Sequence, residues 1–187
     1  MSNARDYLFK VPFRQYSISD WENKKKKLMD VLPLNQYTDF YDNKKYGIPQ
    51  YIKVLGDVID ECMIDFKESY PPGIMITSAW YEKSKQGDYH GPHNHGATGF
   101  SCILFVDYDP SEHEPTKFHA PFLDAATGEN MKYQPIVREG DLLVFPSYVL
   151  HEAPINNSEK ERLIVSFNIM GEDVSKAFNA GFKRAKQ

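Results

Sequence analysis

Gly140-Asp141-Leu142-Leu143-Val144-Phe145-Pro146 reads as a strand between two stops. Gly140-Asp141 has the composition of a hairpin turn, the next four residues are an unbroken apolar run, and Pro146 caps it. Working outward from that run, short strands separated by turns are read at Ile74 to Tyr81, Phe100 to Tyr108, Thr116 to His119, Met131 to Val137 and Arg162 to Met170. The chain after Pro72 is therefore expected to be β-structure, with a long insertion between Asp109 and Met131.

The chain before Pro72 has a different texture. Tyr7, Phe9, Val11 and Phe13 alternate as in a short strand, and Ser19 with Glu22 has the spacing of a capping box that starts a helix. Trp21, Leu28, Val31 and Leu32 form the apolar side of that helix, and Lys24 to Lys27 are read as its solvated face, without function. A second amphipathic helix is predicted from Pro49 to Phe66, where Tyr51, Leu55, Val58, Ile59, Cys62 and Phe66 recur at helical spacing before Pro71-Pro72-Gly73 closes the segment. Between the helices Tyr37, Phe40, Tyr41 and Tyr46 form an aromatic stretch, read as packing under a loop, with a pocket cover as its other use. Val174, Ala177, Phe178 and Phe182 predict a C-terminal helix.

Helices first and strands afterwards is the order expected when helices brace one face of an antiparallel sandwich or jelly roll, whose mouth offers a small-molecule site. We expect one domain over 1–187: N-terminal helical support (1–73), a jelly-roll core (74–170) and a C-terminal helix (171–187). A chain of 187 residues with net charge −4, 41% hydrophobic and 26% charged residues is an ordinary globule, and that balance gives no electrostatic reason to bind nucleic acid. Cys62 and Cys102 sit among apolar neighbours and are expected to be buried free thiols, which suits a reducing, cytoplasmic compartment. No apolar stretch approaches the ~20 residues needed to span a bilayer, and the N-terminus lacks the apolar core of a signal peptide. The sequence does not indicate an oligomeric state.

Chemistry concentrates on histidines. His93 and His95 stand at i and i+2, which on extended chain project to one face, and His151 arrives from a later segment to complete a three-point metal grip. His90 is out of that register and is left as a supporting or surface residue, and His113 and His119 are treated as non-ligands. The usual zinc signals, a His-Glu-x-x-His helix and paired Cys-x-x-Cys, are missing. Arg162 follows on the strand after His151, with no acidic neighbour on that strand, where a guanidinium fork can clamp the far carboxylate of a small diacid. Two histidines plus a third ligand, with positions left open, is the plan of non-haem Fe(II) oxygenases.

In order along the chain, Trp80-Tyr81, Gly87-Asp88-Tyr89, His93-Asn94-His95, Ser101 to Val106, Gly140 to Ser147, His151 and Pro154, and Arg162 to Asn168 resemble the 2-oxoglutarate/Fe(II)-dependent oxygenases. The likeness is greatest to a small bacterial and phage branch, distantly similar to prolyl 4-hydroxylases, and covers about residues 74–170. It implies a mainly β double-stranded β-helix. It further implies Fe(II) held by His93, His95 and His151, 2-oxoglutarate bound through Arg162, and Asn168 and Tyr81 lining the cosubstrate site. No side chain is needed as a separate acid or base. One departure stands out: the wider superfamily has Asp or Glu where this chain has His95, which leaves a ferrous site more positive by one charge. Asp88 is an alternative source of a carboxylate.

The implied activity is that of a dioxygenase hydroxylating an unidentified substrate, with 2-oxoglutarate and O₂ consumed and succinate and CO₂ released. Two other readings stay open: a metal-binding jelly roll that has lost turnover, and a cupin-like three-histidine dioxygenase that does not use 2-oxoglutarate.

Overall fold

The computed structural model describes residues 10–70 and 73–173. Three helices, α1 (Trp21–Met29), α2 (Phe40–Tyr46) and α3 (Ile52–Ser69), precede most of the β-structure. The strands are β1 (Arg14–Ser17), β2 (Ile74–Ser84), β3 (His90–His93), β4 (Phe100–Asp107), β5 (Lys117–Leu123), β6 (Asn130–Tyr133), β7 (Asp141–Pro146), β8 (Leu150–Ala153) and β9 (Arg162–Gly171). They form two antiparallel sheets, a major one in the order β1-β7-β4-β9-β2 and a minor one in the order β3-β8-β5-β6. This is the expected jelly-roll sandwich with helical support.

The central strands read as continuous apolar runs because both faces of the major sheet are covered. On β4, Cys102, Leu104 and Val106 face the helices, and Ile103 and Phe105 face the minor sheet. β7 repeats the pattern with Leu142 and Val144 against Leu143 and Phe145. α3 turns Leu55, Val58, Ile59, Cys62, Met63 and Phe66 onto the sheet, a spacing of three and four that keeps one stripe inward. Cys62 and Cys102 are both buried and unbonded to one another, as expected. Phe167 is fully buried at the centre of this helix-facing core. Phe167→Ala is expected to cost about 3–5 kcal/mol, from lost burial plus the cavity left behind, read as a lowered urea midpoint at unchanged slope.

Several local expectations are corrected. The capping box does not form: Asp20, at φ 50, precedes the first turn of α1, and the Ser19 hydroxyl is spent on Glu61 at 2.7 Å. Val31 is exposed, whereas Leu28 and Leu32 are buried as expected. Lys24 and Lys25 pair with Glu61 and Glu139, both at 2.9 Å, consistent with a solvated face. Gly140 does lie in a turn, at φ 82, but not in a hairpin, since β6 and β7 belong to different sheets. The first strand is Arg14–Ser17 and excludes Val11 and Phe13; Tyr7 and Phe9 lie outside the described residues, as does the C-terminal helix expected from Val174 onward.

The most consequential correction is on β2. Ile74 and Ile76 pack on the helix side, but the register with β9 slips between Ile76 and Ser78, so that Thr77 is an extra residue. A bulge of this kind moves every following side chain to the other face. After it, Ala79 and Tyr81 face the helices, while Ser78, Trp80 and Glu82 face the sandwich interior. Tyr81, expected in the cosubstrate site, is a fully buried core residue whose hydroxyl donates to the Pro33 carbonyl at 2.7 Å.

Candidate metal centre

Interior-facing residues of β2 and β9 build the floor of the site in register: Ser78 opposite Asn168, Trp80 opposite Ser166, Glu82 opposite Ile164, and Ser84 opposite Arg162. Over this floor the minor sheet brings its histidines. Cross-strand pairing of β3 with β8 sets His93 directly opposite His151. His95 lies just past the end of β3, where its N–H donates to the Ser147 carbonyl at 2.9 Å, which ties it to the turn after β7. One candidate ligand atom from each of His93, His95 and His151 lies within 4.8 Å of the others.

The other ring nitrogens explain why this cluster suits a cation. Nδ1 of His93 lies 2.8 Å from the Gly91 carbonyl, Nδ1 of His151 lies 2.9 Å from the Val149 carbonyl, and Nδ1 of His95 lies 2.8 Å from Oδ1 of Asn168. A carbonyl oxygen only accepts, so each contact fixes the proton on Nδ1 and leaves the Nε2 lone pair for a metal. Ser101 Oγ lies 2.8 Å from the same His95 nitrogen and 2.9 Å from Asn168 Oδ1, and Asn168 Nδ2 donates to Ser78 at 2.9 Å, so one polar network holds the His95 ring. Burial lowers the pKa of His93 and His95, and drives that of His151 down to about 3 with the neighbouring imidazoles adding to the shift. At neutral pH all three are neutral, the form that ligates. The residues present thus fit a divalent transition metal.

Asn168 therefore acts on a candidate ligand, by holding His95. Asn168→Ala is expected to weaken metal binding about 10–100-fold, measured by calorimetric titration with Co(II) or anaerobic Fe(II). An unchanged affinity would show that Asn168 does not set the His95 ring.

Arg162 is 3% exposed and shares the interior-facing parity of Ser166 and Ile164, but it lines neither of the cavities beside the histidines. Its two terminal nitrogens donate to the carbonyls of Glu114 at 3.0 Å and Pro154 at 3.3 Å, which uses two of its five N–H donors. Burial depresses its pKa, opposed chiefly by the Glu82 charge. Among the described residues it forms no ion pair. Asp88 is turned away from the cluster, accepting the Lys85 N–H at 3.0 Å, so it offers the site no carboxylate. His113 binds the Lys160 carbonyl and the Asp109 N–H, and His119 lies beside Glu152, so neither joins the cluster.

Two cavities adjoin the histidines. The inner one, about 20 Å³, lies between the sheets and is lined by His151, Thr116, Ser166 and Glu82 among others. The outer one, about 670 Å³, opens over His93, His95 and Asn168 and is walled by Tyr37, Phe40, Tyr41, Trp80, Glu82 and Tyr89. Tyr37, Phe40 and Tyr41 of the aromatic stretch thus form a pocket wall, because α2 packs against β2: Phe40 meets Trp80 edge to face at 5.1 Å.

Glu82 is the site residue that the sequence reading missed. It is 4% exposed, lines both cavities, and holds His90 through Oε2 at 3.1 Å while Oε1 has no hydrogen-bond partner among the described residues. Its parity with Trp80 was the available signal, masked by the bulge at Thr77. His90 takes its supporting place by stacking on His93, with ring centroids 4.0 Å apart.

A helix-braced jelly roll with three imidazoles aimed at one point defines a class, the metal-dependent double-stranded β-helix proteins. Residues 78–168, which contain the entire histidine cluster, match the family model described as "Putative 2OG-Fe(II) oxygenase", the family that the sequence resembles. Fe(II) and 2-oxoglutarate are the cofactors of that family. No curated protein matches the chain.

Solved structures share the fold at low identity. A truncated form of the viral collagen prolyl hydroxylase vCPH from Paramecium Bursaria Chlorella virus-1 is 14% identical with a TM-score of 0.61, over 91% of this chain and 99% of that one. A Pseudomonas putida prolyl-4-hydroxylase is 14% identical with a TM-score of 0.55, over 87% and 94%. The epimerase SnoN, in complex with Fe3+, alpha ketoglutarate and nogalamycin RO, is 12% identical with a TM-score of 0.61, over 86% and 79%. Against another structure of SnoN, from nogalamycin biosynthesis, the chain spans only 47% of its length. Among the described residues no helix is long and apolar enough to cross a membrane.

Proposed function

We propose that this protein is an Fe(II)- and 2-oxoglutarate-dependent dioxygenase that hydroxylates a substrate held in the outer cavity and releases succinate and CO₂. One observation carries the reading: three neutral imidazoles, His151 buried and His93 and His95 half-buried, converge within 4.8 Å, each with Nδ1 engaged. His93, His95 and His151 hold the metal, and Arg162 takes the distant carboxylate of 2-oxoglutarate at the inner end of the site. The bound metal and cosubstrate supply the oxidising chemistry. The chain's own residues bind and orient: Asn168 fixes the His95 ring, Trp80 walls the metal at 5.4 Å from that ring, and the aromatic wall screens the centre from bulk water.

Addition of 2-oxoglutarate to anaerobic Fe(II)-loaded protein is expected to change its visible absorption, and subsequent exposure to O₂ to yield succinate. An iron-loaded protein whose spectrum does not respond would overturn the reading.

One observation favours a second reading, a three-histidine dioxygenase that does not use 2-oxoglutarate. The Glu82 carboxylate faces the inner cavity and repels an anion there, and Arg162 already serves two main-chain carbonyls. Spectral competition between 2-oxoglutarate and other small carboxylates at the loaded metal distinguishes the two.

A further inference from the structure

The outer cavity combines two features that the metal centre does not require. Its wall is aromatic on several sides: Trp80 is almost fully buried and meets Phe40, Phe40 meets Tyr41 edge to face at 5.4 Å, and Tyr37 and Tyr89 complete the rim. Set into this wall is Glu82, a carboxylate 4% exposed that holds His90 through Oε2 and, after burial, raises the pKa of the neighbouring Tyr37 hydroxyl, while its Oε1 has no close hydrogen-bond partner among the described residues. No lysine or arginine lines the cavity, and Arg162 lies outside its walls. A buried carboxylate oxygen without a donor is costly. Ring faces attract cations and add nothing for anions.

We propose that the outer cavity takes an alkylammonium group, with the cation against the Glu82 carboxylate and its methylene stem laid along the wall formed by Trp80, Phe40 and Tyr41, so that a carbon of the stem faces the histidine cluster. The proposal rests on reading the histidine cluster as the reaction centre, and it specifies the class of substrate. The ammonium completes the hydrogen bonding of Glu82, and the rings cover the stem, as aromatic cages do for amines. The same wall disfavours phosphate or carboxylate at this position, because Glu82 repels them. The ammonium can be presented on a peptide side chain or on a free amine.

Calorimetric titration of the Zn(II)-loaded protein tests this without turnover. The probes are a lysine-containing tripeptide amide, its norleucine counterpart, and butylammonium. The lysine peptide is expected to bind at least about tenfold more tightly than the norleucine peptide, and Glu82→Gln to abolish that preference. Butylammonium binding comparably to the lysine peptide would assign a free amine, and peptide-only binding a side chain. Tyr41→Ala, at a residue 74% exposed, removes one ring of the wall without touching the core and is expected to weaken the cationic probe several-fold. Equal affinity for the lysine and norleucine peptides, or a preference that survives Glu82→Gln, would overturn the proposal. Metal loading is measured separately on the same samples. A protein that prefers the amine but does not respond spectrally to 2-oxoglutarate would fail the dioxygenase reading and keep this one.

Discussion

His151→Ala is expected to lower metal affinity by more than about 100-fold, beyond what losing a supporting partner costs. The strand pairing dictates this magnitude. His151 is 3% exposed and stands opposite His93 on β3, with its Nδ1 proton committed to Val149, so no other side chain in the cluster can swing into its place. Removing it leaves two imidazoles and opens the site towards Phe118 and Phe145, whose rings pack on His151 at 6.1 and 4.8 Å. Neither ring is a ligand. Titration of wild type and variant with Co(II), followed by calorimetry and visible absorption, checks the outcome. His113→Ala serves as control, because its imidazole is equally buried but spent on Asp109 and Lys160. A His151→Ala protein that keeps native circular dichroism and near-native metal affinity would dissolve the three-histidine centre.

Arg162→Ala is expected to act twice. Removing a buried guanidinium leaves the carbonyls of Glu114 and Pro154 without their donors and takes away a cation that feels the Glu82 charge. Loss of one side of such a buried arrangement costs about 3–5 kcal/mol of stability. The same loss strands one carboxylate of 2-oxoglutarate, so its affinity should fall by about two to three decades. Arg162→Lys restores the charge without the planar fork and should recover part of the stability but little of the cosubstrate binding. Urea denaturation reads the first effect and anaerobic titration of the Fe(II) protein the second. A destabilised variant with unchanged 2-oxoglutarate affinity would make Arg162 a purely structural cation, in line with the two bonds it makes in the present arrangement.

The fold and the ligand set were legible in the chain for separate reasons. Apolar runs such as Leu142 to Phe145 and Ile103 to Val106 require burial on both faces, and short strands of this and more mixed kind after two amphipathic helices leave few architectures other than a braced sandwich. His93, His95 and His151 stood out because imidazoles in a polar, glycine-rich loop make poor core residues. The short strands that place them, His90–His93 and Leu150–Ala153, were not legible, because four residues each, His-Gly-Pro-His and Leu-His-Glu-Ala, give no periodicity to read.

Sequence alone determined which residues are apolar enough to form the two cores and which nitrogen donors are available to a metal, since both follow from side-chain chemistry. Tertiary structure decided which face each residue takes. Thr77, the extra residue on β2, sends Tyr81 into the helix-facing core and delivers Trp80 and Glu82 to the site. It also decided that Asn168 holds a histidine and that α2 walls the cavity. Parity and contact depend on strand register, and register is fixed by pairing between distant segments, such as Ser78 with Asn168, some ninety residues apart, which no local pattern encodes.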